Sequence, residues 1–392
     1  MKEAMGNAWE FCVFLAVLTA TAVAGYETNC SFPAIFNFGD SNTDTGGFWA
    51  AFPAQRPPHG MTYFKKPVGR YTDGRVIVDF LAQGLGLAFL SPYLKSIGSD
   101  YRNGANFASM ASTVRRPHGS LIDTGISPFS LAIQFNQFKQ FKVMVDEQEQ
   151  EQEQHHSYNH GNTKLPPKNI FGKALYTFYI GQNDFIFDLA SLGISGVNQS
   201  LPEVVAQITK TIKDIYLLGG RTFFILNLAP IGCYPSFLAK LSHNTSDLDQ
   251  FGCLKSYNNA VADYNNILKD ALRQTRQDIK DANVVYVDTH SIILELFQHP
   301  TSHGLKYGTK VCCGYGGGDY NFKKELFCGD TNVLNGQTVT AEACEDPYNY
   351  VSWDGFHLTD AANKVTVQAI FSGSYFDPPF PLHNFCDINP IG

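Results

Sequence analysis

The chain has 392 residues, of which 44% are hydrophobic, and this is enough to build the large buried core of a globular protein. Its formal net charge of -7 at pH 7 is mildly acidic, and no segment concentrates lysine and arginine into a surface that neutralises phosphates. These numbers favour a packed globular protein and exclude nucleic acid as a partner.

The first predicted element is an N-terminal leader. An apolar run over residues 11–24 is shorter than the roughly 20 residues that a membrane-spanning helix needs, and it ends in the small-x-small triplet Ala22-Val23-Ala24. We therefore expect a secretory signal peptide over residues 1–24, cleaved near Ala24, and a single domain over residues 25–392. No later stretch of the sequence is apolar for long enough to span a bilayer, so we expect a mature protein outside the cytosol without a transmembrane segment.

Apolar, β-rich runs alternate with helical patterns along the rest of the chain. Four short runs bounded by polar residues or glycine predict strands, over residues 34–38, 174–180, 222–228 and 284–287. Longer patterns predict helices, over residues 76–85, 131–145, 202–218, 256–274 and 361–370. Strands separated by helices of this length predict an α/β fold, in which helices cover both faces of a central parallel sheet.

One segment does not fit a compact core. Residues 147–154 read EQEQEQEQ, and a polar stretch with His155, His156 and His160 follows. We interpret residues 146–168 as a mobile insertion loop. The three histidines could bind a metal, but a solvated low-complexity loop is the better interpretation, and we predict no metal site.

Cysteines and glycosylation sequons agree with secretion. Eight cysteines follow the leader, an even number, as a set of disulfides in an oxidising compartment requires. The sequence does not determine their pairing, and the one pair we expect is Cys233 with Cys253, which closes a short loop after a strand. Three sequons predict N-glycosylation, at Asn29, Asn198 and Asn244.

Ser41 follows the first predicted strand, at the edge of the sheet where doubly wound folds bind their ligands. Its surroundings suit either a helix cap or an exposed nucleophile. A nucleophilic serine needs a histidine as base and a carboxylate that orients the histidine. Asp354 and His357, three residues apart near the C-terminus, have a suitable spacing, although this pattern alone occurs in many unrelated chains.

Two further segments could supply the N–H groups of an oxyanion hole, which stabilise the negatively charged oxygen of a tetrahedral intermediate. The segment GQND places Asn183 directly after a predicted strand. Residues 103–113 are rich in small side chains, which let backbone N–H groups approach a ligand. Each segment is also compatible with an ordinary turn at the end of a strand.

The blocks FGDSNTDTGG, GANFAS, GQND and DGFH occur in this order, and together they resemble the four sequence blocks of the plant GDSL esterase/lipase family, a branch of the SGNH hydrolases. The resemblance extends over about residues 32–386, and it includes GRYTDGR, LAPIGCYP and VCCGYGG. It implies a flavodoxin-like three-layer α/β/α sandwich. The members that the chain resembles most are acetylesterase-like and early-nodulin-like.

The resemblance also implies roles for single residues. Ser41 becomes the nucleophile, His357 the general base and acid, and Asp354 the residue that orients His357.

The implied oxyanion hole combines the Ser41 N–H, a backbone N–H of the GANFAS segment and the Asn183 side chain. The family often has a glycine pair where this chain has Met110 and Ala111. The backbone donor is therefore marked by either Gly104 or Ala111.

The expected function is that of a secreted serine carboxylic-ester hydrolase of the cell wall or apoplast, which works through an acyl-enzyme without a cofactor. The resemblance favours acetyl esters of glycosides or cell-wall polysaccharides as substrates. A lipase acting on longer acyl lipids and an acyltransferase remain alternatives, and a non-catalytic glycan-binding glycoprotein is a more remote one. The oligomeric state is not predicted.

Overall fold

The computed structural model describes residues 30–52, 54–117, 119, 126–155 and 163–392. The predicted signal peptide and Asn29 lie outside these residues, as do His156 and His160 of the predicted loop. The predicted strands and helices and the predicted catalytic and oxyanion residues all lie within them.

Long helices and strands alternate through most of the chain, and short strands occupy much of its last third. The strands are β1 (Ile35–Gly39), β2 (Gly104–Asn106), β3 (Leu175–Tyr179), β4 (Thr222–Leu226), β5 (Asn283–Val287), β6 (Tyr307–Val311), β7 (Cys313–Gly314), β8 (Thr331–Leu334), β9 (Gln337–Thr340), β10 (Glu342–Ala343), β11 (Tyr350–Ser352) and β12 (Phe376–Asp377). The α-helices are α1 (Gly47–Ala51), α2 (Ile77–Gly84), α3 (Leu131–His155), α4 (Gln182–Leu217), α5 (Pro235–Lys240), α6 (Lys255–Asp278), α7 (Thr289–Gln298) and α8 (Asp360–Phe371).

The central sheet has six strands in the spatial order β12-β5-β4-β3-β1-β2. Its strands are parallel except for β12, which runs antiparallel to β5 at one edge. The order β2-β1-β3-β4-β5 is that of flavodoxin-like folds, which confirms the predicted parallel sheet. Strands β2 and β12 are not predicted from the sequence, because strands of three and two residues are too short to show a periodic pattern.

Alternate residues of a strand point to opposite faces of the sheet, and each face has its own core. Phe36 and Phe38 pack in a cluster with residues of α3, α4 and α6. Ile35, which precedes Phe36 in the same strand, packs on the other face with residues of α2 and α8. Helices therefore cover both faces, which confirms the predicted three-layer α/β/α architecture.

Two helices differ from their predicted extents. Helix α3 continues to His155, so the prediction of a loop beginning at Asp146 is wrong for residues 146–155. Glutamate and glutamine are good helix formers, and nothing in the repeat breaks a helix. Helix α4 begins well before Pro202, because Val197 and Leu201 extend its buried face. The helical conformation is interrupted at Gly193.

Four disulfides pair all the cysteines that follow the predicted leader: Cys30–Cys386, Cys233–Cys253, Cys312–Cys344 and Cys313–Cys328. The expected pair of Cys233 with Cys253 is confirmed. Two of the bridges fasten the segment between α7 and β11, which contains the β8–β9 hairpin. Within the described ranges, no helix combines the length and the apolar character that crossing a membrane demands.

Candidate active site

The turn after β1 presents Ser41 at the carboxyl edge of the sheet. A Cβ at Gly39 would lie 2.2 Å from Thr43 Oγ1 and 2.9 Å from the Tyr179 carbonyl oxygen, so the chain can leave the strand this tightly only with glycine there. The Gln134 side chain of α3 holds the same residue, accepting from Gly39 N at 3.0 Å and donating to Gly39 O at 2.8 Å. The start of the turn is therefore held from both the strand and the helix side.

A buried polar network supports the turn from below. Asn37 Nδ2 donates to Asn106 Oδ1 at 2.7 Å, and Thr177 Oγ1 donates to Asn37 Oδ1 at 2.7 Å, which links β2, β1 and β3. Asn106 Nδ2 donates to the Thr43 carbonyl oxygen at 2.7 Å. Side chains of three adjacent strands thus hold the turn that carries Ser41 in one position.

The second half of the site is the loop between β11 and α8. Trp353 N donates to the His357 carbonyl oxygen at 2.8 Å, which closes the loop. Gly355 has a φ of 99°, and a Cβ there would lie 2.8 Å from the Phe322 ring, so this position also requires glycine. Thr359 then caps α8 by accepting from Ala362 N at 3.1 Å.

Ser41, His357 and Asp354 form a continuous series of hydrogen bonds. His357 Nε2 lies 2.7 Å from Ser41 Oγ, and His357 Nδ1 lies 2.7 Å from Asp354 Oδ2. The other carboxylate oxygen of Asp354 accepts from Phe356 N and His357 N, each at 2.9 Å. The structure therefore brings together three residues that the sequence predicted as a unit, although Ser41 and His357 are 316 residues apart.

The electrostatics of the pair favour a charged carboxylate beside a basic imidazole. Burial alone would raise the pKa of Asp354, but the charge of His357 and the hydrogen bonds that Asp354 accepts lower it below its usual value. Burial alone would lower the pKa of His357, but the carboxylate of Asp354, and to a lesser degree that of Asp40, raise it above its usual value. Asp354 thus makes His357 a stronger base than a free imidazole.

Asp40, next to Ser41, is a buried carboxyl group that the sequence analysis did not single out. Its Oδ1 accepts from Asn42 N and Asn42 Nδ2, each at 2.9 Å. Burial raises the pKa of Asp40 to about 6, against the effect of these bonds and of His357. Asn42, which stands where the family name motif has leucine, therefore stabilises the turn through Asp40.

Asn183 and Ala111 lie at the same edge. Asn183, at the start of α4, donates from Nδ2 to the Ser112 carbonyl oxygen at 2.9 Å, which leaves its second N–H for another acceptor. The segment of Ala111 is tied to β1 by the bond of Ser109 N to Gly39 O at 3.3 Å. Neither Ser41 N nor Ala111 N donates a hydrogen bond to any residue that the structure describes.

Gly104 does not belong to this edge, which corrects one of the two predicted backbone donors. It pairs with Ile35 at the start of β1, whereas Ser41 follows the other end of that strand. Four residues of strand separate the two ends, about 13 Å at 3.3 Å per residue. Gly104 N also donates already to the Tyr101 carbonyl oxygen at 2.9 Å.

Sequence reasoning missed the aromatic surroundings of His357. The Tyr71 ring lies 5.5 Å from the His357 ring, and His59 packs edge-on against both Tyr71 and Trp353. Burial lowers the pKa of His59, which keeps this second histidine neutral. Tyr71 lies in GRYTDGR, one of the segments through which the chain resembles the family, so the only signal was a motif without an assigned role.

A flavodoxin-like sheet with a hydrogen-bonded serine, histidine and aspartate at its carboxyl edge is typical of serine-type hydrolases. Residues 35–370 match the model of the family described as GDSL-like Lipase/Acylhydrolase. The chain belongs to this family.

Three relatives resemble the chain over nearly its whole length. A GDSL esterase/lipase of Arabidopsis thaliana is 59% identical over 95% of this chain and 96% of its own. An esterase of Hevea brasiliensis is 41% identical over 95% of this chain and 93% of its own. A protein named alpha-L-fucosidase 3, also of Arabidopsis thaliana, is 41% identical over 92% of this chain and 95% of its own. Family and relatives together identify the chain as a carboxylic ester hydrolase.

Proposed function

We propose that the protein hydrolyses carboxylic esters with Ser41 as nucleophile, His357 as general base and acid, and Asp354 as the residue that orients His357. The 2.7 Å contact between His357 Nε2 and Ser41 Oγ carries the proposal, because it puts a base within hydrogen-bond distance of the Ser41 hydroxyl.

The reaction then follows from the order of the hydrogen bonds. Ser41 Oγ attacks the ester carbonyl carbon while its proton passes to His357 Nε2, and the resulting imidazolium is stabilised by Asp354. When the tetrahedral intermediate collapses, the ester C–O bond breaks, and Nε2 gives the proton to the leaving alcohol. Water, deprotonated by the same nitrogen, then attacks the acyl-enzyme and releases the acid and Ser41.

Three N–H groups serve as the oxyanion hole in this proposal: Ser41 N, Ala111 N and the second N–H of Asn183 Nδ2. Ser41 N and Ala111 N have no hydrogen-bond partner among the described residues. Of the two N–H groups of Asn183 Nδ2, one donates to the Ser112 carbonyl oxygen, which leaves the other for the oxyanion. Removing one such donor typically costs about 100- to 1000-fold in rate.

We further propose that the protein is secreted and removes short acyl groups, acetyl above all, from glycosides or cell-wall polysaccharides. The leader and the sequons support secretion, and the resemblance to acetylesterase-like members supports the substrate class. Asn198 and Asn244 are both exposed, as glycosylated asparagines must be. N-terminal sequencing of protein collected from the medium of expressing cells tests the leader, and a first residue near 25 is expected.

The test of the mechanism compares the wild type with Ser41→Ala on aryl acetate, butyrate and palmitate. We expect Ser41→Ala to lose about a thousandfold or more in kcat/KM, as removal of a catalytic serine generally does, and acetate to be the best substrate of the wild type. Ser372→Ala, an exposed serine after α8, is the matched control and should keep full activity. Equal activity of Ser41→Ala and the wild type would refute the proposed mechanism. A preference of the wild type for palmitate would indicate a lipase.

Two assays distinguish the remaining functions. With an added alcohol acceptor, ester products would indicate an acyltransferase, whereas free acid alone indicates a hydrolase. An aryl α-L-fucoside tests the activity named for one relative. Glycosidases ordinarily use two carboxyl groups, so fucoside cleavage that survives Ser41→Ala would indicate a glycosidase activity that does not depend on the proposed serine chemistry. Failure to cleave any aryl ester would favour a non-catalytic glycan-binding protein.

A further inference from the structure

The segment GRYTDGR, residues 69–75, joins the two halves of the site. On the serine side, Arg70 forms a buried salt bridge with Asp79 at 2.6 Å and donates from Nη1 to the Thr45 carbonyl oxygen at 3.2 Å. Thr45 follows Ser41 by four residues, so this contact fastens the segment to the turn of the nucleophile.

The other end of the segment is fastened to the histidine side. Asp73 Oδ1 accepts from Asp360 N at 2.8 Å. Arg75 donates from its backbone N to Asp360 Oδ1 at 2.5 Å and from Nη2 to Asp360 Oδ2 at 2.9 Å. Asp360 begins α8, three residues after His357. Residues on both sides of Tyr71 are therefore held by buried charged hydrogen bonds.

Between these anchors the Tyr71 ring packs beside His357. Their centroids are 5.5 Å apart and the planes are tilted by 39°. Trp49 stacks on Tyr71, with centroids 6.1 Å apart and an interplanar angle of 23°, and His59 packs edge-on at 5.7 Å. Tyr71 is thus held by neighbouring rings as well as by the anchored residues on either side of it in the chain.

The edge of the His357 ring is already occupied, because Nδ1 contacts Asp354 and Nε2 contacts Ser41. The charged and titratable groups that face His357 are Asp354 on its own loop, Asp40 on the serine turn and the buried His59. An aromatic ring attracts a cation within about 6 Å of its centroid. Tyr71 meets this distance, and it lies where a positive charge forms each time His357 takes a proton.

We propose that Tyr71 is a positioning residue for His357, whose ring holds the imidazole in line with Ser41 and stabilises its protonated form. The inference rests on the proposed function, because it assumes that His357 is the base. It assigns to GRYTDGR the task of presenting this ring from a segment clamped to both halves of the site. The hydroxyl group of Tyr71 is not required, so phenylalanine should replace tyrosine.

The experiment measures kcat, KM and the pH profile of kcat/KM for aryl acetate in Tyr71→Phe and Tyr71→Leu. We expect Tyr71→Phe to match the wild type. In Tyr71→Leu, kcat should fall about 3- to 30-fold, which is the decrease expected for the loss of one cation–π contact in the transition state, and KM should change little. Because the protonated form of His357 loses a favourable contact, the acid limb of the profile should move to lower pH. Tyr93→Leu, which removes a half-buried ring that packs on Phe107 away from His357, is the matched control and should keep the wild-type profile.

A Tyr71→Leu variant that keeps the acid limb and kcat of the wild type would overturn the proposal. If this variant does not fold, pentafluorophenylalanine at position 71 keeps the ring volume and reverses its charge distribution, and it should give the same shift of the acid limb. An unshifted limb there overturns the proposal equally. Ser41→Ala is assayed in parallel: activity in that variant would refute the proposed function, whereas an inactive Ser41→Ala with an unshifted Tyr71 profile refutes only the role of Tyr71.

Discussion

Ala111 has a φ of 56°, the left-handed conformation that residues with a Cβ adopt at a cost of about 1 kcal/mol or more. The family often has glycine here, and this chain keeps the conformation without it. The adjacent Ser112 is bonded to Asn183, and Met110 N donates to Asp44 Oδ2 at 2.9 Å. The strain is therefore maintained by contacts that place the Ala111 N–H at the edge of the sheet.

Replacing Ala111 by glycine should relieve this strain. We expect Ala111→Gly to raise the melting temperature, since the conformational relief slightly exceeds the entropy that glycine loses on folding, and to keep kcat because the N–H remains. Ala206→Gly, at an exposed position inside α4, is the control and should cost about 1 kcal/mol. A loss of stability in Ala111→Gly would show that the conformation at this position is not strained.

The pH dependence of activity follows from the Asp354–His357 pair. His357 must be neutral to act as a base, so kcat/KM should fall as the pH decreases through the pKa of His357, which Asp354 raises above its ordinary value. In Asp354→Asn this raising effect is lost and burial lowers the pKa, so the acid limb should move to lower pH, with a loss of about a thousandfold or more in rate. The pH profile of both proteins checks this, with the exposed Asp270→Asn as control. An unmoved limb in Asp354→Asn would mean that another group controls it.

At the scale of elements, α3 is coupled to the serine turn through one side chain. Gln134 is fully buried and satisfies both backbone groups of Gly39. Gln134→Met keeps the volume but leaves the buried Gly39 N–H without its acceptor and the Gly39 carbonyl oxygen with only the 3.3 Å bond from Ser109 N, so we expect a loss of about 1 to 3 kcal/mol in the free energy of unfolding. Denaturant titration beside the exposed Gln140→Met measures the loss. Similar values for the two variants would show that the Gly39 contacts add nothing.

An element or a site residue can be predicted from the sequence when its contacts are local in the chain, and not when its partners are distant in the chain. The apolar strands and the blocks around Ser41 and His357 carry local patterns, so four strands of the central sheet and the residues of the proposed triad could be predicted. Gln134 and Tyr71 carry no local pattern, because their partners Gly39 and His357 come from distant parts of the chain. Gly104 was predicted as a donor because it lies in a segment of small residues. Only the pairing of β2 with β1 shows that it lies at the end of the strands opposite to Ser41.

At the scale of the whole molecule, three of the four disulfides differ in their relation to the loop that carries His357. Cys313 N donates to the Trp353 carbonyl oxygen at 2.7 Å, directly before Asp354, and Cys312 N donates to Ser352 O at 3.0 Å. The bridges Cys312–Cys344 and Cys313–Cys328 therefore fix the two residues that are hydrogen-bonded to Ser352 and Trp353, at the start of the loop that carries His357. The Cys30–Cys386 bridge lies on the face formed by α2 and α8, in a different cluster of buried residues from Cys312, Cys313 and Trp353.

Removing these bridges should separate stability from catalysis. Cys313→Ser with Cys328→Ser opens a loop of 15 residues, and we expect a loss of about 3 kcal/mol together with a lower kcat. Cys30→Ser with Cys386→Ser should lower the melting temperature and leave kcat unchanged. Thermal unfolding and aryl acetate kinetics on both double variants test this, and an equal loss of kcat in the two would contradict it.

The Cys30–Cys386 bridge also determines how the domain responds to a pulling force. Its loop encloses every strand of the central sheet, with a sequence separation of 356 residues. A force applied to the chain outside these two cysteines passes through one covalent bond and never loads the sheet. In a single-molecule stretching experiment the oxidised domain should show no unfolding step, and a reducing agent should release the length of the enclosed chain.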